Sequence, residues 1–203
     1  MLVRREVMPV IDLEPATRRT AELVRTVPDD RLDVPTPCRD YILGDLLDHI
    51  GGLAPAFTGA AKKEPGAGAG GASGDASRLG DDWRTRIPAA LAALAYAWRE
   101  PEAWSGMTEA GGVELPGEVA GLVALNEVVI HGWDVARALG VPYECDTATL
   151  EVLHGFVTQF AEEQQAGSPD GPFGTPVAVP ADAPLLDRVV GLTGRNPNWK
   201  SGD

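Results

Sequence analysis

The chain has 203 residues, 44% of them hydrophobic, and its 17 Lys plus Arg against 30 Asp plus Glu give a formal net charge of −13. That length suits one domain, or a main domain with a small appendage, and buries a continuous core without help from disulfides. The acidic balance argues against nucleic-acid backbones and anionic membrane surfaces as partners.

Cys38 and Cys145 lie far apart with no C-x-x-C spacing, so both are expected to be reduced. The N-terminus MLVRREVMPVIDLEPATRR has charges scattered through its apolar residues, and no later stretch reaches the roughly 18 uninterrupted apolar residues of a spanning helix. A cytoplasmic protein is the expectation.

In chain order, Leu13 to Val27 carries an imperfect helical pattern that stops at Pro28-Asp29-Asp30. Arg31 to Asp40, with Pro35 and Pro37, is expected to be largely extended, because each proline disfavours helix in the residue before it. A second helix follows in which Ile42, Leu46, His49, Leu53 and Phe57 recur at helical steps, with His49 in the middle of the apolar stripe. Glu64 to Asp75 has no side chains that build a core and reads as a mobile connection; no buried strand precedes its glycines, which excludes a phosphate-cradling motif. Asp81 to Glu100 is a third helix with Trp83, Ile87, Leu91, Leu94 and Trp98 on one side, kinked or started by Pro88.

Pro116 to Leu139 reads as a helix of about six turns, apolar nearly all round and closed by Gly140 and Pro142, which belongs at the centre of a bundle. Thr147 to Glu163 is a fifth helix with Thr147 as its cap. The tail changes character: Gly167 to Pro184 is rich in proline and glycine with one strand-like stretch, Pro176 to Pro180, and Leu185 to Thr193 forms a last short helix. Little strand signal and four or five long helices give an all-α, up-and-down four-helix bundle over 1–166, with an irregular extension over 167–203 that ends in a small helix.

On the central helix, steps of four and three link Ala120, Ala124, Glu127, His131, Asp134 and Ala138 along one stripe that holds only small or ionisable residues. Such a stripe leaves a gap in the packing, as a pocket between helices requires. Glu127 and His131, one turn apart, reach one divalent ion from one helix, and His49 is the natural third ligand. The same residues also fit plainer roles. His49 is then a hydrogen-bonded core histidine, Glu127–His131 an ion pair, and Asp134 either the orienting partner of His131 or one half of a salt bridge to Arg137 or Arg99. His154 reads as a core or rim histidine and Cys38 as a small buried hydrophobe.

The runs T-P-C-R-D-Y-I-L-G-D-L-L-D-H-I, Thr36 to Ile50, and N-E-V-V-I-H-G-W-D-V-A-R-A-L-G, Asn126 to Gly140, resemble the DinB-like superfamily, specifically the mycothiol-dependent maleylpyruvate isomerase N-terminal group. The tail F-G-T-P-V-A-V-P-A-D-A-P-L-L-D-R-V-V-G-L-T-G-R-N-P-N-W, Phe173 to Trp199, resembles the end of a subgroup of actinobacterial metal-binding proteins in that superfamily. The resemblance implies a four-helix bundle that holds zinc or another divalent ion through His49, Glu127 and His131, with Asp134 at a position that matters for activity. Tyr41 stands where the family commonly has Trp, and the short tail is expected to lack a full C-terminal domain like the isomerase's.

Two functional classes follow. The first is a metal-dependent thiol transferase or isomerase that uses a low-molecular-weight thiol such as mycothiol as co-substrate on a small electrophile, with Asp134 moving a proton or fixing the bound ligand. The alternatives are a metal-assisted hydrolase with the same ligands, and a non-catalytic metal or small-ligand binding protein.

Overall fold

Helix α1, Glu14–Thr26, starts where Pro15 supplies a preset backbone angle in the first turn and Asp12 Oδ1 accepts the Glu14 N–H at 3.0 Å. It buries Ala16, Thr20, Ala21, Leu23 and Val24. The computed structural model describes residues 10–68, 73–165 and 173–201, without the side chains of 163–165. The start of the N-terminal stretch read for a leader, the middle of the glycine-rich connection and the start of the proline- and glycine-rich tail therefore lie outside the described residues.

The segment after α1, expected to be largely extended, folds back on itself instead. A short helical turn at Asp29–Arg31 leads into a loop closed by an antiparallel bridge between Pro35 and Ile42. The Leu43 and Gly44 N–H groups reach back to the carbonyls of Val34 and Leu32 at 3.0 and 2.7 Å. The prolines exclude helix, as expected, but Thr36 satisfies the backbone inside the turn. Its hydroxyl lies 3.0 Å from the Cys38 carbonyl and 2.8 Å from that of Tyr41.

Helix α2, Leu43–Ala61, buries Leu43, Leu46, Leu47, Ile50, Leu53 and Ala54. The buried face is thus rotated from the expected stripe, and His49 lies at its edge with Ile42 and Phe57, half-buried rather than central. Helix α3, Trp83–Ala97, buries Trp83, Ile87, Leu91 and Leu94, with Trp98 buried just beyond it, as the spacing predicts; Pro88 lies inside it rather than at its start.

A hairpin, β1 at Met107–Ala110 and β2 at Val113–Pro116, was not foreseen from the sequence. Gly111 and Gly112 form its turn with φ of 60° and 81°, the mirror-image geometry that a two-residue hairpin requires. Helix α4, Gly117–Leu139, ends at Gly140 in the left-handed conformation with φ of 72°. It is long and apolar enough to cross a membrane by length and composition alone, yet 78% of that span is buried inside the fold, as in a central core helix.

The helices of the bundle run α1, α3, α2, α4 around its axis, because α1 and α2 each pack on both α3 and α4. The long connections before α2 and before α4 cross between corners. Helix α5, Thr147–Gln165, is capped by Asp146 rather than Thr147: Asp146 Oδ1 accepts the Thr149 N–H at 2.8 Å and its other oxygen takes the Thr149 hydroxyl. A carboxylate is the stronger acceptor for helix N–H groups. Helix α6, Leu185–Leu192, packs on α5, and the stretch read as strand-like runs beside it, with the Val177 N–H donating to the Gly191 carbonyl at 2.9 Å.

One close approach fixes the start of α4 against the end of α3. A Cβ at Gly121 would lie 2.6 and 2.8 Å from Trp104 ring carbons and 2.8 Å from one of Trp98. Gly121→Ala is therefore expected to destabilise by about 1–3 kcal/mol through overpacking, read from the urea midpoint; an unchanged midpoint contradicts this packing.

Candidate metal centre

Two stretches of sequence separated by nearly eighty positions meet where α2 packs on α4. His49 from α2 and Glu127 with His131 from α4 turn their side chains to a common point, because four residues on a helix bring Glu127 and His131 to the same side. His49 Nε2 lies 3.4 Å, and His131 Nε2 3.1 Å, from the same oxygen, Glu127 Oε2. The imidazole rings stand edge to face with centroids 4.8 Å apart. All three ligand atoms fall within 4.8 Å of one another. Tetrahedral zinc with bonds of about 2.1 Å has neighbouring ligand atoms roughly 3.4 Å apart, so the spacing between the nitrogens and the oxygen suits such an ion.

The electrostatics fit the same use. Burial disfavours the Glu127 carboxylate, but the charge and hydrogen bond of His131 outweigh burial, with a smaller contribution from His49, and hold its pKa well below the usual range. Burial likewise opposes protonation of His131, yet the Glu127 charge and the Asp134 hydrogen bond prevail and raise its pKa. Protonated His131 thus faces the Glu127 carboxylate, and a cation bound there would displace that proton.

Asp134 stands behind His131. Its Oδ2 lies 3.0 Å from His131 Nδ1 and accepts that nitrogen's proton, so Nε2 is the atom left to ligate once a cation displaces the proton it shares with Glu127. The cation beside Asp134 is neither Arg137 nor Arg99 but Arg195, at 3.2 Å from the same oxygen. Arg137 instead donates to the Pro197 carbonyl, and Arg99 pairs with Glu14. Asp134 is fully buried and does not line the adjacent cavity.

That cavity, about 620 Å³, opens over His49, Glu127 and His131. The Pro37–Tyr41 turn forms one wall, and the C-terminal tail, through Phe173–Val177 and Thr193–Arg195, forms another. The Tyr41 ring lies 5.1 Å from that of His49, and its hydroxyl oxygen accepts the Gly74 N–H at 3.3 Å. Cys38, read from sequence as a small buried hydrophobe, lines this cavity half-buried. Burial first, then the Asp134 charge, raises its pKa and keeps it a thiol. Cys38, His131 and Asp134 also form a compact set, but the Nδ1 of His131 is already committed to Asp134, which favours the set with His49 and Glu127. His154 lies on α5 away from the cavity, 2.8 Å from Arg188, in keeping with a rim residue.

The tail's share of the cavity, Arg195 above all, escaped the reading of the residues. Its only signal was an arginine in the segment G-R-N-P-N-W just after the last helix.

The model of the family described as mycothiol maleylpyruvate isomerase N-terminal domain matches residues 13–136. An uncharacterised protein of Mycobacterium tuberculosis, found in two strains, is 27% identical over 190 residues, covering 92% of this chain and 97% of its own length. The crystal structure of the mycothiol-dependent maleylpyruvate isomerase matches with a TM-score of 0.64 at 19% identity, over 92% of this chain and 88% of that one. The structure of a histidine-to-alanine variant of that isomerase gives 0.55 at 18% identity, over 74% and 69%. At those identities the likeness establishes a shared helical fold.

Proposed function

Since the chain belongs to the mycothiol maleylpyruvate isomerase N-terminal domain family, of the DinB-like superfamily, we propose that it is a divalent-metal protein, with zinc as the ion, acting as a thiol-dependent transferase or isomerase on a small electrophile. His49, Glu127 and His131 are the residues that would hold the ion, and mycothiol is the co-substrate of this reading. The observation that carries it is the convergence of two imidazole nitrogens and one carboxylate oxygen at the base of an open cavity. Three protein ligands leave at least one position for an outside molecule.

A bound divalent ion supplies positive charge that lowers the pKa of a thiol ligand, making it a nucleophile at neutral pH. The chain's residues do the rest. Asp134 holds His131 in the tautomer the site needs, and we assign it a positioning role through His131 rather than direct proton transfer to substrate. Arg195 donates to Asp134 Oδ2 at 3.2 Å and holds that side chain in place behind His131. The cavity walls from α2, α4 and the tail hold thiol and electrophile side by side, which replaces a bimolecular encounter by a local one.

Two outcomes test this reading. Mycothiol titrated calorimetrically into zinc-loaded protein is expected to bind, and into metal-free protein to give no heat of binding; equal binding to both contradicts a metal-held thiol. Zinc affinity is expected to rise with pH. His131, with its raised pKa, carries a proton near neutrality that the ion must displace, so affinity gains about tenfold per pH unit until the pH passes that pKa. Competition with a chromophoric chelator at pH 6 and pH 7 reads this, and a flat profile contradicts it.

A further inference from the structure

Resting on the reading of the site as a thiol-dependent centre, we propose that Asn126 recognises the ligand in the cavity by accepting a hydrogen bond from a hydroxyl or amide N–H of that ligand. Asn126 precedes Glu127 on α4, lines the cavity and is 2% exposed. Its Oδ1 is buried with no hydrogen-bond partner. A buried acceptor without a donor costs stability, and fold stability alone favours an apolar residue of the same shape here. The neighbours on α4, Leu125, Val128, Val129 and Ile130, are all buried and apolar. Asparagine is also a poor helix former. A polar group kept at such cost beside a cavity belongs to what the cavity binds.

A second observation points the same way. Among the described residues, the buried polar atoms without partners include Asp134 Oδ1 and Arg195 Nε as well as Asn126 Oδ1. Arg195 lines the same cavity, and Asp134 bonds to both His131 and Arg195. Asn126 and Arg195 are thus the two described cavity-lining residues with an unpaired buried polar atom, while the others of this kind, on Arg19, Arg31, Asp134, Arg137 and Tyr143, do not line the cavity. The donor comes either from the thiol co-substrate, outside its sulfur, or from the electrophile.

The test uses zinc-loaded full-length protein, as the parent and as Asn126→Leu, with Asn126→Ala as a smaller replacement should the leucine prevent folding. Thermal melting, calorimetric binding of mycothiol and of ethanethiol, and the KM for maleylpyruvate are measured on each. The leucine variant is expected to melt at or above the parent's temperature while binding mycothiol at least tenfold more weakly. Ethanethiol, which has no donor besides its thiol, is expected to bind parent and variant equally. Unchanged mycothiol binding with a tenfold higher KM for maleylpyruvate assigns the donor to the enol hydroxyl of that electrophile and supports the proposal. Where the parent does not turn over maleylpyruvate, the mycothiol comparison decides. Unchanged mycothiol affinity with no rise in that KM overturns it, whatever the melting temperature. A zinc-loaded parent that binds no mycothiol removes the reading beneath it, an outcome visible before any variant is compared.

Discussion

Asp134→Ala is expected to cost the metal-free protein about 3–5 kcal/mol of stability, the range for removing one partner of a buried ion pair. Asp134 is fully buried, and its Oδ2 serves both His131 Nδ1 at 3.0 Å and Arg195 at 3.2 Å. Alanine leaves a guanidinium, its side chain only 15% exposed, and an imidazole without their shared acceptor. Asp134→Asn retains the shape and one acceptor oxygen but loses the charge, so it is expected to cost less stability while weakening zinc binding about 10–100-fold, as replacing the group that orients a ligating histidine does. Urea unfolding of the metal-free proteins and chelator competition check the two effects. A stability loss below about 1 kcal/mol for the alanine variant contradicts a buried pair that holds the tail to α4.

The larger effect on the site itself is expected from Glu127→Gln. The substitution preserves volume and removes the negative charge of Glu127, which faces both imidazoles at 3.4 and 3.1 Å. In the parent the carboxylate offers an anionic oxygen to a cation; the amide offers a neutral oxygen or an N–H that opposes it. Zinc affinity is expected to fall more than the 10–100-fold typical of residues that only orient a ligand, and thiol-dependent turnover to vanish with it. The charge on His131 should fall as well. With Glu127 neutral, the first cause that raises the His131 pKa is gone, so the imidazole titrates lower than in the parent, which proton NMR of the metal-free proteins reads directly. An unshifted His131 resonance profile contradicts the coupling between the two residues.

The helices were legible because their cores repeat at helical spacing. On α3 the residues at steps of four and three, from Trp83 to Trp98, are the ones that are buried. On α4 the pitch alone dictates that Glu127, His131 and Asp134 share a side. His49 was harder: its stripe was visible, but the exact rotation of α2 depends on what packs against it, and Leu43, Leu47 and Ile50 take the inside face.

What failed to show was long-range or turn-bound. Arg195 meets Asp134 from 61 positions away, and no local pattern pairs them. Cys38 reaches the cavity only because the Thr36 hydroxyl curls the T-P-C-R-D-Y segment back, a contact that the prolines disguised as extension. The hairpin carried a usable signal, adjacent glycines between Met107–Ala110 and Val113–Pro116, which was outweighed by the helical character around it.

The most direct measurement is elemental analysis by mass spectrometry of protein purified without a histidine tag, alongside His49→Ala and His131→Ala variants whose folding is checked by circular dichroism. Near-stoichiometric zinc in the parent, lost in both folded variants, is the expected result. A parent that takes up no divalent metal even after incubation with zinc contradicts a metal centre and leaves His49, Glu127 and His131 as a hydrogen-bonded cluster between two helices of the bundle.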